Sequence, residues 1–349
     1  MICPARLDPV FSPRPWGTRS LAPFFPALTN LAEPIGEAWM TGNESVFATG
    51  PWAGQKLGKA WPQMPVEWTG TAVPRKGTFP ILSKFIFTQE KLSVQVHPDD
   101  DYASKHEAAG GGVGKTEMWY AVRARAGAEV MAGLKPDVTP ESFREAISDG
   151  TAEDCLERVC LNTDEAIFIP ARTAHTIGPG LVLCEIQQHS DLTYRVFDYN
   201  RRDAQGRARE LHVEKALDVL RFGPQTCGKL PPVALAYGGA CERYLVACRY
   251  FATVRWEFDT TVPRSTTPEH FDLLIVMDGS GEILWGHERA AYGPAQAWLI
   301  PATLGDYRLK PTASTALLRT FVPGDLKTCG KEFASRKIDP GQWDRLIRW

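Results

Sequence analysis

Within the stretch KLSVQVHPDDDYA (Lys91–Ala103) an amide and an imidazole, Gln95 and His97, stand two residues apart. The stretch reads as a strand running into a Pro-Asp-Asp turn. Side chains alternate on a strand, which puts Leu92, Val94 and Val96 on one face and Ser93, Gln95 and His97 on the other. Residues i and i+2 are roughly 6.5 Å apart at the backbone and point the same way, so Gln95 and His97 can converge on one ion. Glu117, opening TEMWYAV, and His175, just after a proline-containing strand end, extend the set. Two imidazoles, a carboxylate and an amide oxygen suit a borderline divalent cation, Zn²⁺ first, with Mn²⁺, Fe²⁺ and Co²⁺ as alternatives. A lone histidine after a strand is more often structural or on the surface, and spacing alone leaves both readings open. His106, His212 and His287 are assigned no role.

Two lysines join this set. Lys84 interrupts the otherwise apolar strand FPILSKFIF, so it either snorkels to solvent or is held in a cavity. Lys115 shares the face of Glu117. A metal nearby would lower its pKa by like-charge repulsion, as a catalytic base requires.

Strands must position these residues. FPILSKFIF (79–87), KLSVQV, TEMWYAV (116–122), EAIFIPA (165–171) and GLVLCEIQ (180–187) are short, rich in β-branched and aromatic residues, and bounded by Gly, Pro and Asp. Their spacing suits an antiparallel sandwich or barrel. Three helices are predicted: one in DDDYASKHEAA, one in TPESFREAISDG with Thr139 as N-cap and Pro140 at the first position, and one in LHVEKALDVLRFG. A weak internal repeat aligns IPARTAH (169–175) with IPATLGD (300–306), and 118–130 with 272–284. The repeat implies two related β-barrels, the first enlarged by the helical segment Val138–Glu157. The second copy carries Phe271 and Asp306 where the first has Glu117 and His175, so a metal belongs in the first.

A chain of 349 residues suggests roughly two domains. The expected division is 1–235, a catalytic barrel with N-terminal strands and helical insertions; 236–325, a degenerate barrel without a metal site; and 326–349, a C-terminal tail. A net charge of −2 gives no argument for nucleic acid or a membrane surface. There is no signal-peptide pattern and no apolar run of transmembrane length. The eight cysteines are scattered without a C-x-x-C pair, which fits reduced thiols in a cytoplasmic protein.

The segments FPILSKFIFTQEKLSVQVHPDDDYA, GKTEMWYAV, IPARTAHTIGPGLVLCEIQQHSDLTYRVFDYNR, and PWGTR with IGEAW, resemble the type I mannose-6-phosphate isomerases, in particular the short bacterial form. The resemblance runs from about residue 13 to 212 and weakens over the second barrel. It implies a mainly β fold of two cupin (jelly-roll) barrels. It also implies one zinc ion per chain on Gln95, His97, Glu117 and His175, and interconversion of mannose 6-phosphate and fructose 6-phosphate through a cis-enediol. Arg195 matches the family's active-site arginine and Asp191 a family aspartate beside it. Lys84 matches a family lysine eleven residues before the metal glutamine, and Arg201 falls where longer members carry a lysine at the phosphate. Ser93, on the metal-facing side, is a phosphate-binding candidate. Proton abstraction falls to Lys115, Lys84 or Asp191. Longer members read H-K-P-E where this chain reads Gly114-Lys115-Thr116-Glu117, which leaves sugar-ring opening without an assigned residue. The expected partner is a small sugar phosphate bound by a monomer or homodimer. The competing readings are another cupin metalloenzyme, such as a non-haem iron oxygenase, and a non-catalytic sugar-phosphate-binding cupin. Gln95 as a fourth ligand and the lysine and arginine set argue against the oxygenase.

Overall fold

The computed structural model describes every residue except 76, 203–204, 225–226 and 349. The protein is mainly β, and its named strands pair antiparallel in sheets of ten, seven and five strands. The seven- and five-stranded sheets are built from residues 10–229 and hold the candidate site between them.

In the seven-stranded sheet, Glu117–Ala124 lies between Ala166–Ile169 and Leu181–Gln188, and the latter pairs with Ile81–Thr88. Period-two alternation sorts their side chains. Phe85, Phe87, Met118, Tyr120, Cys184 and Ile186 turn outward into a core shared with Phe271, Leu273 and Leu299 of the second half. Lys84, Glu117, Trp119 and Glu185 occupy the alternate positions. In the five-stranded sheet, Val94–Val96 lies between Tyr194–Phe197 and His175–Ile177. Its outer side, with Val94, Val96 and Met131, is packed with Phe143 of helix Pro140–Asp149 and Ala216 and Val219 of helix Val213–Val219.

All three predicted helices are present. Thr139 and Ser142 form a reciprocal capping box, and Asp99 caps Asp100–His106 by accepting from the Tyr102 amide. The strand in KLSVQV is shorter than its alternation suggests. It begins at Val94, so Leu92 leaves the face of Val94 and Val96 and packs with Trp16, Ile86 and Trp119 on the inner side. The Leu92 amide is instead held by the Ile177 carbonyl at 2.9 Å.

The ten-stranded sheet contains the strands from Val233 to Phe321 together with Ala5–Asp8 and Val46–Phe47. Ala5–Asp8 pairs with Ala297–Ile300, because burial of Ala5 and Leu7 fixes it against the second half. The segment from 326, read as a tail, contains helix Leu326–Ser335, which buries Cys329 and Phe333 in the second core. The repeat alignment is one residue out. Ile169 pairs with Glu117 and Ile300 pairs with Asp272, so Asp272 rather than Phe271 takes the place of Glu117. A one-residue shift reverses every side chain. Phe271 accordingly faces outward and stacks on Phe79, with ring centroids 5.1 Å apart.

Candidate active site

The pairing brings the four proposed ligands together from different strands. His175 pairs directly with Gln95, and Arg195 flanks Gln95 on the other side. The nearest donor atoms of His97, Glu117 and His175 all lie within 4.8 Å of one another. Glu117 Oε1 is 3.4 Å from His175 Nε2, and Glu117 Oε2 is 3.6 Å from His97 Nε2. Each imidazole is oriented from behind: His97 Nδ1 donates to the Leu192 carbonyl (2.7 Å) and His175 Nδ1 to the Thr173 carbonyl (2.9 Å). Those bonds place the hydrogen on Nδ1 and turn the Nε2 lone pairs toward the carboxylate, as metal-ligating histidines require. Burial favours the neutral ring, holding His97 well below the ordinary histidine pKa and bringing His175 down to about 4.

Glu117 is 1 % exposed and neither oxygen has an aligned hydrogen bond. Burial raises its pKa to about 7 against the pull of Lys115. Lys115 Nζ, 2.9 Å from Oε2, offsets part of the cost of burying this carboxylate, while Oε1 has no ion-pair partner of its own among the described residues but His175. Gln95 Nε2 lies 3.2 Å from His175 Nε2, and rotating the amide would present its oxygen at the same place. Two neutral imidazole nitrogens, a carboxylate with free lone pairs and an amide oxygen fit a divalent cation.

Lys115 Nζ lies 2.9 Å from Glu117 Oε2 and donates to His97 Nε2 at 3.0 Å. Burial would lower its pKa, but Glu117 and Glu185 outweigh burial and hold it above the ordinary lysine value. Lys84 Nζ lies 3.4 Å from Glu185 Oε2 and 4.6 Å above the Trp39 ring. Glu185 also accepts from Trp119 Nε1 at 3.0 Å. Burial would raise the Glu185 pKa, but Lys115 and Lys84 bring it down to about 2.

Above this layer opens a cavity of about 490 Å³ whose lining includes Lys84, Ser93, Gln95, Lys115, Asp191 and Arg195. Arg195 Nε donates to Ser93 Oγ (3.3 Å) and Nη1 to the Glu210 carbonyl (3.0 Å). Arg201 lies outside the lining. Its guanidinium is taken by Asp198 and by the Lys91 carbonyl at 2.6 Å. Arg209, also held by Asp198, reaches the cavity instead, as do Arg14, His212 and Glu185. Sequence reasoning did not single out those four. Only Glu185 carried a signal, as a charged residue within an apolar strand like Lys84.

The family model for the phosphomannose isomerase type I catalytic domain matches residues 5–125. Mannose-6-phosphate isomerase ManA of Bacillus subtilis is 31% identical over 315 residues, spanning 88% of this chain and 96% of ManA. The crystal structure of the mannose 6-phosphate isomerase from Bacillus subtilis superposes with a TM-score of 0.82 at 28% identity, covering 91% of this chain and 99% of that one. A mannose 6-phosphate isomerase solved with zinc and yttrium bound shares the fold at 17% identity (TM-score 0.69, 91% and 99% covered). With the ManA match spanning most of both chains, and the family model matching its N-terminal part, the chain belongs to the type I phosphomannose isomerases.

Proposed function

We propose that this protein interconverts mannose 6-phosphate and fructose 6-phosphate, using one zinc ion per chain held by Gln95, His97, Glu117 and His175. The observation that carries the reading is the pair of histidines tied back at Nδ1, with Nε2 turned onto a buried carboxylate beneath a cavity of sugar-phosphate size. The zinc-bound relative supports the choice of metal. When bound, the metal supplies Lewis-acid stabilisation of negative charge on the sugar oxygens.

The chain's own groups do the rest. The Lys115 ammonium donates to the oxygen on which charge develops, and Arg195 adds a second fixed positive charge. Asp191 has no hydrogen bond or ion pair among the described residues and takes the carbon-bound proton between C2 and C1. Glu185 holds Lys84 in place through their ion pair and helps to hold the Lys115 pKa up. Ser93, Arg195 and Arg209 line the phosphate end, which fixes the distance to the reacting carbons. Residues 1–235 supply the catalytic unit and 236–325 the degenerate one, except that Ala5–Asp8, Val46–Phe47 and the strand starting at Val233 join the ten-stranded sheet, and helix Leu326–Ser335 packs on the second half. The protein works in the cytoplasm, consistent with eight free thiols.

Conversion of mannose 6-phosphate to fructose 6-phosphate by the purified protein, with solvent deuterium entering the sugar, is the expected result. Absence of both in metal-replete protein would overturn the assignment. Lys115→Arg separates the roles: it keeps the charge, so exchange at C2 should persist at a reduced rate, whereas complete loss of exchange would make Lys115 the base.

A further inference from the structure

Lys115 lies in a segment without regular structure, because its strand begins only at Glu117. Three consecutive backbone amides fix it nonetheless. The Gly114 amide donates to Asp100 Oδ1 (2.9 Å), the Lys115 amide to the Pro98 carbonyl (3.0 Å) and the Thr116 amide to Gln188 Oε1 (2.8 Å). Gln188 Nε2 in turn donates to the same Asp100 Oδ1 at 2.9 Å. One carboxylate therefore governs the backbone on both sides of Lys115. The approach is close: a Cβ at Gly114 would lie 2.6 Å from the Asp100 nitrogen, which makes glycine necessary there.

The second oxygen of Asp100 is held from the other half of the molecule. Tyr250 Oη donates to Asp100 Oδ2 at 2.8 Å. Tyr250 sits in the tight turn between Ala240–Ala247 and Ala252–Phe258, closed by the Cys248 amide on the Phe251 carbonyl at 2.9 Å. A rigid hairpin tip of the ten-stranded sheet thus ends on the carboxylate that sets the Lys115 backbone.

We propose that Tyr250 and Asp100 are positioning residues for Lys115, through which the second half of the chain holds the catalytic lysine against Glu117 and the cavity. This rests on the reading of Lys115 as a group that acts on the substrate. Without Tyr250, Asp100 keeps its bonds to Gly114 and Gln188 but loses the anchor that fixes its rotamer. Without Asp100, Gly114 loses its amide's acceptor and Gln188 the partner of its Nε2, while Lys115 keeps the Pro98 carbonyl and Val113 keeps Ser190 Oγ. Small displacements of a catalytic group lower turnover steeply while leaving ground-state binding nearly intact.

The test is a set of variants of the full-length, metal-loaded protein. Tyr250→Phe should lower kcat about threefold to tenfold, the value of one hydrogen bond expressed in the transition state, with KM and bound metal unchanged. Asp100→Ala should lower it further. Asp100→Asn should recover much of that loss, because the amide oxygen still accepts from Gly114 and Gln188. In an Asp100→Ala background, Tyr250→Phe should add nothing. In a Lys115→Met background it should leave the residual rate unchanged. A lowered melting temperature in Tyr250→Phe with wild-type kcat would overturn the proposal, as would an equal loss of rate in the Lys115→Met background. Wild-type activity in Lys115→Met alone would instead overturn the reading of Lys115 on which the proposal rests.

Discussion

The two halves of this chain place charged groups at matching points of their β-ladders and use them in opposite ways. Glu117 faces Ile169 and Asp272 faces Ile300, so both halves bury an acid at that point. Glu185 lies opposite Trp119 and Arg319 opposite Leu274, so at the next point the sign is reversed. His175 pairs with Gln95, whereas Asp306 pairs with Ser265 and is exposed. In the second half, Arg319 Nε lies 2.9 Å from Asp272 and Nη1 donates to Glu332 at 2.7 Å. Arg264 and Arg336 close on Glu242 at 3.2 and 3.1 Å. Burial would raise the Asp272 pKa, but Arg319 holds it below the ordinary value. The buried carboxylates Asp272, Glu242 and Glu332 thus each meet a guanidinium, and no three metal-donor groups cluster there among the described residues. In the first half, the acid faces no guanidinium among the described residues but two neutral imidazoles and one lysine. A scaffold that neutralises its interior charges internally is a structural core. One that turns two neutral imidazole nitrogens and a carboxylate onto one point is a site for a cation.

The difference can be attacked at its two acids first. Glu117→Gln removes the only charged donor of the metal cluster and should lower kcat/KM about a thousandfold, as loss of a central electrostatic group does. The matching change, Asp272→Asn, should leave kcat/KM per folded molecule at the wild-type value. It should instead cost about 3 kcal/mol of stability, read from urea unfolding, because Arg319 loses one of its two buried partners. Comparable loss of activity from both substitutions would erase the distinction between the halves.

Acid should separate the halves as well. His97 and His175 are buried and His189 is half-buried; all three have lowered pKa led by desolvation, the last two down to about 4. Unfolded, they take up protons below about pH 6.5, so the unfolded chain binds more protons and stability falls as pH drops from about 6.5 toward 4. Glu117, raised to about 7, works the other way, but three histidines outweigh one carboxylate. The urea midpoint of metal-free protein should therefore decline between about pH 7 and pH 5, and His189→Gln should flatten that decline. The lowered pKa of Asp272 adds its own loss only below about pH 4. A midpoint independent of pH over the upper range would contradict the histidine assignment.

The smallest effect concerns the phosphate end. Arg201→Ala should change KM for mannose 6-phosphate less than about threefold, since its guanidinium is committed to Asp198 and the Lys91 carbonyl. Arg209→Ala, which empties a position on the cavity wall, should raise KM about tenfold or more. The reverse order would return Arg201 to the site.

Much of the first half could be read from sequence because strand alternation carries direction. Gln95 and His97 share a face by period alone, and Lys84 betrays itself by breaking an apolar run. Thr139, Pro140 and Gly150 bracket a helix through local backbone chemistry that needs no partner. What stayed hidden depends on register and on contacts distant in sequence. Glu185 matters because Leu181–Gln188 pairs at one register with both Ile81–Thr88 and Glu117–Ala124, which sets it beside Lys84 and Trp119. Arg201 and Arg209 both lie near Asp198, and only the folded chain decides which reaches the cavity. Asp272 was displaced by one residue because similarity between repeats has no knowledge of which face a strand presents. The helix Leu326–Ser335 begins at an Asp325 cap that accepts from the Thr328 amide at 2.7 Å, a local signal left unread in the segment taken for a tail.

The central claim is that one metal is held by the first half and none by the second. Metal analysis of the purified wild-type protein beside His175→Ala and Asp306→Ala tests it most directly. The account predicts about one divalent ion per chain in the wild type and in Asp306→Ala, and loss of that ion together with activity in His175→Ala. Two ions per chain in the wild type, or a full complement retained by His175→Ala, would contradict it.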